Sequence, residues 1–271
     1  MRTNADAAVA AEPAASLFRA FALNCSAVAS LAAGDDPRAE TDLIEVISAA
    51  EAAAAGEDEQ FALALIAVMA MGSGDWARAQ SLADAADSII ESSHLALYPT
   101  TAIAAAASAR VAIHRGDHAG ARNQLARATV LRPRLTYAMP WVSVRSLLEL
   151  ARAHLALADP DGARAVLRQA EAIVIRRPDL GPIIEDVRSL RRQLQDQPIG
   201  VGGASTLTAA ELKVLTFLPL HLSFKEIADR LGVRQSTTKT HALSVYGKLG
   251  ATSRSEAVAL AIAAGLLEAS M

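Results

Sequence analysis

The chain has 271 residues, 52% of them hydrophobic but only 4% aromatic, and a formal net charge of −3. That length gives room for two domains with apolar cores, and an interior built mainly from Ala and Leu favours packed helices over strands. The single cysteine, Cys25, excludes a disulfide framework and a thiolate metal cluster, and the overall charge by itself says nothing for nucleic acid.

Met1 to Glu12 is Ala-rich, carries Asp6 and Glu12 and lacks a basic n-region, so residues 1–12 read as a flexible tail and not as a secretory signal. Uncharged runs such as Phe61 to Gly74 are too short or too polar for a bilayer, and a soluble cytoplasmic protein with no membrane partner is expected. From Pro13 to about Gln197 helix follows helix. The spacing predicts Pro13–Ala33, Arg38–Ala55, Asp58–Met71, Ala77–Glu91, Thr101–Arg115, Ala119–Leu131, Trp141–Ala158, Ala163–Arg176 and Pro182–Gln195.

The breaks recur. Gly34-Asp35, Gly74-Asp75, Gly116-Asp117 and Ala158-Asp159 begin 40, 42 and 42 residues apart, each placed to end one helix and cap the next with Asp. Ala39/Leu43, Ala121/Leu125 and Ala163/Leu167 follow three of them at matched offsets; after Trp76 the leucine, Leu82, comes one residue early. Two helices in about 40 residues, repeated, is the pattern of an α-hairpin array over 13–197, with a surface for a small-molecule or protein effector. Pro198, Gly200, Gly202, Gly203 and Ser205 then mark a Gly-rich linker at 198–206, leaving 207–271 as a second domain.

In this last domain helix starts are written twice. Thr208 with Glu211, and Ser223 with Glu226, have capping-box spacing, and Leu207/Leu212 and Leu222/Ile227 have the spacing of the accompanying apolar staples. Leu231-Gly232 ends the second helix; only Val233 and Arg234 precede a third, about Gln235 to Leu249. Its apolar stripe is Thr238, Ala242, Val245 and Leu249, with His241 beside it as a core histidine; Lys239, Thr240, Leu243 and Gly247 face outward. A helix, a tight turn and a helix with a polar outer face suit insertion into the major groove of double-stranded DNA. The charge is distributed accordingly. From Leu207 onward seven Lys/Arg face five Asp/Glu, and from Arg230 to Arg254 there are five basic residues and no acid.

The run Leu207-Thr208, Glu211, Val214-Leu215, Leu222-Ser223, Lys225-Glu226-Ile227-Ala228, Leu231, Thr237, Lys239, His241, Lys248-Leu249-Gly250, Ser253-Arg254, Glu256-Ala257-Val258 and Gly265-Leu266-Leu267 resembles the DNA-binding domain of the LuxR family. The repeats before it resemble tetratricopeptide arrays, though with longer units, and more nearly the helical domain of MalT-type regulators. The resemblance implies an all-α fold, an α-hairpin array followed by a four-helix helix-turn-helix domain. It implies groove contacts from Lys239, Thr240 and Leu243, and backbone contacts from Lys225, Thr237, Lys248 and Arg254. Arg234 stands where the family has a Ser or Thr cap, a loss of ~1 kcal/mol, and can reach a phosphate instead. Thr238 replaces a Val and needs a carbonyl partner for its hydroxyl, and Gly247 replaces a basic residue. The fourth helix, Ser253 to Leu267, offers Val258, Ile262 and Leu266 as a homodimer edge.

A DNA-binding transcriptional regulator is therefore expected, with no catalytic residues, metal or cofactor; the chain has no Gly-Lys-Ser/Thr of a phosphate-binding loop. His114 and His118 are separated by Gly116-Asp117 and do not share a helix face, and Trp76, Tyr98, Tyr137 and Trp141 read as packing at hairpin junctions. A sigma-factor-like domain shares the Ser-x-x-Glu-Ile-Ala helix but not the Gly265-Leu266-Leu267 ending. A helical adaptor with a degenerate helix-turn-helix remains the alternative from another class.

Overall fold

The computed structural model describes residues 2–13, 16–195 and 206–267, and every regular element among them is helical. The first ten helices are α1 (Arg2–Ala11), α2 (Leu17–Ala33), α3 (Asp36–Ala53), α4 (Gly56–Gly72), α5 (Trp76–Ser92), α6 (Thr101–His114), α7 (His118–Leu131), α8 (Pro140–Ala156), α9 (Pro160–Arg176) and α10 (Ile183–Gln195). They pack as the hairpins α2/α3, α4/α5, α6/α7 and α8/α9, with α10 against α8 and α9. The periodic breaks are the hairpin turns. Asp35, Asp75, Asp117 and Asp159 each cap the second helix, accepting from the backbone N–H three residues on. Gly34, Gly74 and Gly116 supply left-handed backbone at the first three turns, while Ala158 takes φ 57° at the fourth despite its Cβ.

The small residues after each cap allow the close approach of paired helices: Ala39, Ala79, Ala121 and Ala163 are wholly buried. In the second hairpin Ala83 takes the inward place and Leu82 is only half-buried. Helices α4 and α6 are apolar nearly all round, as central helices with neighbours on several sides must be.

The expected tail is instead helical over Arg2–Ala11. Its partners lie on the next two helices: Asp6 ion-pairs with Arg38 at 2.5 Å, and Arg19 donates to Val9 O at 2.8 Å and Glu12 O at 3.1 Å. Nothing local announces these contacts, which is why composition suggested a tail.

The C-terminal unit contains α11 (Ala209–Leu215), α12 (Phe224–Leu231), α13 (Gln235–Leu249) and α14 (Arg254–Ala263) around its own apolar core. Both capping boxes form, and Gly232 (φ 64°) turns the chain between α12 and α13. The fourth helix is shorter than expected: it stops at Ala263, Gly265 turns the chain at φ 69°, and Leu266 folds back into the core at 6% exposure. Leu266 is thus unavailable as a dimer contact. The linker expected at 198–206 lies outside the described residues except for Thr206.

The two units touch. Arg132, wholly buried, donates to Leu207 O at 2.8 Å, and a Cβ added to Gly265 would stand 3.0 Å from the Ala126 Cβ on α7. Among the described residues no helix is long and apolar enough to cross a membrane.

Candidate nucleic-acid interface

Helix α13 presents the face expected of it. Thr238, Ala242 and Val245 are buried; Gln235, Ser236, Thr237, Lys239, Thr240 and Leu243 are exposed, and His241 is half-buried between the two faces. Leu243 is 55% exposed, a large apolar group left in water on a helix whose inner face is already filled. Lys225 at the start of α12, Arg234 at the N-cap of α13 and Lys239 are exposed and make no ion pair among the described residues. Arg234 has the extended backbone of an N-cap but no capping side-chain bond, as its residue type dictates. At Gly247 an added Cβ would meet nothing within 4 Å, so that position is open surface.

Two further residues of the expected DNA-contacting set are turned into the protein. The Lys248 ammonium donates to both Glu211 carboxylate oxygens, at 2.9 and 2.7 Å, and to Thr206 O at 3.2 Å. Arg254 spreads its guanidinium over three main-chain carbonyls between α11 and α12: Leu218 O at 2.8 Å, Leu222 O at 2.6 Å and Phe217 O at 3.3 Å. Backbone carbonyls left unpaired at an irregular turn are costly, and Arg254 supplies donors to all three, of which Phe217 O also accepts from Leu220 N. Both half-buried cations therefore hold α13 and α14 onto the rest of the domain, a role their assignment as phosphate contacts did not include.

Glu211 is the hub of this arrangement. Besides closing the capping box on Thr208 N at 2.6 Å, it accepts from Ser244 Oγ at 2.6 Å and from Lys248, so a capping residue of α11 also fixes the angle of α13. Capping-box spacing reveals the first role; only the fold reveals the second. Thr238 departs from expectation in the other direction: its buried Oγ1 has no hydrogen-bond partner among the described residues, whereas the neighbouring Thr240 Oγ1 donates back to Ser236 O at 3.0 Å.

Burial pushes the Glu211 carboxyl up, but the hydrogen bonds from Lys248, Ser244 and Thr208 outweigh it and hold the group at about 2. A carboxyl depressed on folding stabilises the protein fully above its unfolded value and loses that contribution as pH falls toward the folded one. Acid should therefore loosen this domain between about pH 4.5 and 2. Glu211→Gln is expected to cost about 3 kcal/mol at neutral pH and to flatten that acid limb. Urea midpoints taken at neutral pH and near pH 3 check both halves; an unaltered acid limb in the variant would remove Glu211 as its source.

On the dimer edge, Val258 packs against the domain core and Ile262 is half-buried, like Leu266 facing inward to differing degrees. The outward side of α14 is instead Ala259, Leu260 and Ala263. A one-phase shift on a short alanine-rich helix accounts for the difference, because Ala and Leu occur on both sides. Elsewhere, His114 stacks on Trp76 with ring centroids 4.0 Å apart. Tyr98 and Tyr137 are exposed, with Arg176 over the Tyr137 ring, and so do not pack at hairpin junctions.

Residues 205–261 match the family described as bacterial regulatory proteins, luxR family, so the C-terminal unit is a LuxR-type helix-turn-helix domain. The chain is also similar to the transcriptional regulatory protein YdfI of Bacillus subtilis (strain 168), 35% identical over 94 residues, which are 35% of this chain and 41% of that protein. The chain thus spans about two fifths of the relative's length. No solved structure gives a significant match.

Proposed function

We propose that the protein is a DNA-binding transcriptional regulator that inserts α13 into the major groove, acts as a dimer, and receives an effector or protein signal through its helical array. The observation that carries this reading is the unpaired, exposed set Lys225, Arg234 and Lys239 around a helix whose outer face is polar but for Leu243, in a domain of the LuxR type. Lys239, Thr240 and Leu243 read base edges: Lys donates to guanine, Thr bonds either base type, and Leu touches a thymine methyl. Lys225, Arg234 and Thr237 contact phosphates and set the register. Dimerisation uses the outward face of α14 at Ala259, Leu260 and Ala263. Each monomer has few phosphate contacts, so a pair of half-sites supplies the affinity.

Genomic fragments captured by the purified chain provide the probe. On such a fragment Lys239→Ala is expected to weaken binding by roughly 10- to 100-fold, with the melting temperature unchanged, since the side chain is exposed and unpaired. Wild-type binding should fall steeply with salt. Equal binding by the variant would remove Lys239 from the reading face. No capture at low salt would favour the adaptor reading, to which the uncapped start of α13 and its Gly247 already lend support.

A further inference from the structure

The first helices of the four hairpins, together with α3, α5 and α10, line a cavity of about 770 Å³. It adjoins a second of about 590 Å³ that shares Arg110 and Arg152. In a chain this poor in aromatics, both tryptophans lie on these walls, Trp141 in the first cavity and Trp76 in the second. Each carries an arginine above its ring: Arg145 lies 5.4 Å from the Trp141 centroid and Arg110 5.8 Å from that of Trp76.

Arg110, Arg145 and Arg152 line the first cavity with Trp141, for two carboxylates. Glu149, wholly buried, is bonded by Arg110, by Arg152 at 2.7 Å and more loosely by Arg145 at 3.5 Å. Asp186 on α10, 41% exposed, stands 3.7 Å from Arg145 and 3.6 Å from Arg152. Arg145 forms no side-chain hydrogen bond among the described residues, although its guanidinium is held in place by the Trp141 ring. Trp141 is 4% exposed, and among the described residues its Nε1 has no acceptor. The Arg145 guanidinium, with ion pairs of only 3.5 and 3.7 Å, keeps a planar fork of donors for a carboxylate that fits it more closely. The other charges on the wall, Arg78 paired with Glu40 at 2.7 Å and the exposed Asp36, leave this corner unchanged.

We propose that this cavity binds a small carboxylic acid with an apolar body. The ligand carboxylate takes the place of the loosely held Asp186, accepting from the Arg145 guanidinium. One carboxylate replaces another, so the charge count at the arginines is conserved, which a dianion would not do. The apolar body lies against Leu31, Leu65, Val68 and Met69, which line the same cavity. The volume is in the range of small-molecule sites, and the mixture of apolar wall with a few converging donors is their usual chemistry. The proposal deepens the reading of the array as an input domain, naming its ligand class. Because Asp186 belongs to α10, the last α-helix before the DNA-binding domain among the described residues, its displacement gives the ligand a route to that domain.

Tryptophan emission of the full chain, with no DNA present, reads the site directly. The probes are phenylacetate and octanoate, each compared with its neutral amide. The acids should shift the emission saturably with a dissociation constant in roughly the millimolar range expected of fragments this small. The amides should bind at least about tenfold more weakly, and Arg145→Gln should lose at least about tenfold for the acids. Asp186→Asn, an exposed change that spares the fold, should tighten the acids several-fold by removing the competitor and leave the amides unmoved. Equal binding of acid and amide, no saturable shift with either acid up to about 20 mM, or acids bound no better by Asp186→Asn would each overturn the proposal. Since the readout contains no DNA, such a failure stands apart from any failure of Lys239→Ala to weaken DNA binding.

Discussion

Glu149→Ala is expected to destabilise the array by about 3 kcal/mol, lowering its urea midpoint by about 1 M. Glu149 is an acid in the apolar interior of α8 with no exposure at all. Burial pushes its carboxyl up, yet Arg152, Arg110 and Arg145 hold it below the ordinary carboxylate value, so it remains charged. Removing it leaves three arginines from α6 and α8 facing one another with only Asp186 nearby, and opens a cavity the size of the lost side chain. The arginines are partly exposed and can swing toward water, which limits the loss to the lower end of the range for broken buried pairs. Glu149→Gln keeps the volume and isolates the electrostatic part. Adding Arg110→Met to it should recover stability, because one fewer cation then lacks a counter-charge. If the double variant is no more stable than Glu149→Gln, charge repulsion is not the cause.

The second large effect lies between the two units. Arg132 is a buried cation with no ion-paired carboxylate among the described residues. Its guanidinium is instead spent on carbonyl oxygens: Leu207 O at 2.8 Å, Ala165 O at 3.3 Å and the Gln169 Oε1 at 3.3 Å, while Gln169 returns a bond to Arg132 O at 2.7 Å. Burial and then the nearby Arg168 lower it to about 10, against the pull of Glu211, so the group stays charged near neutrality. Arg132→Ala should cost about 3 kcal/mol through orphaned oxygens and an unfilled volume. The loss should appear first as faster amide exchange in 207–215, whose start this side chain ties to the helical array. Arg132→Met, which fills the space without burying a charge, should retain more stability but not the protection at Leu207. Unchanged exchange across 207–215 in Arg132→Ala would mean that the docking does not depend on this residue.

Both residues illustrate how far the sequence reaches. Its reach is greatest where the physics is local. The four Asp caps, the two capping boxes and the Gly232 turn each involve groups no more than five residues apart, so spacing specifies them. The outward face of α13 follows in the same way, since one apolar stripe fixes the phase of the whole helix, and Lys239, Thr240 and Leu243 emerge on the solvent side as the period requires. Tertiary structure decided what each cation does. Lys225, Lys239, Lys248 and Arg254 look alike in a basic stretch, but Lys248 finds Glu211 and Arg254 finds three carbonyls, through contacts 32 to 42 residues away in the chain. It decided likewise that α1 is a helix, that Leu266 turns inward, and that Trp76 and Trp141 line adjoining cavities that share Arg110 and Arg152. A helix cap needs only its own turn of chain, whereas the partner of a long side chain is chosen by whichever distant segment the packing brings within its reach.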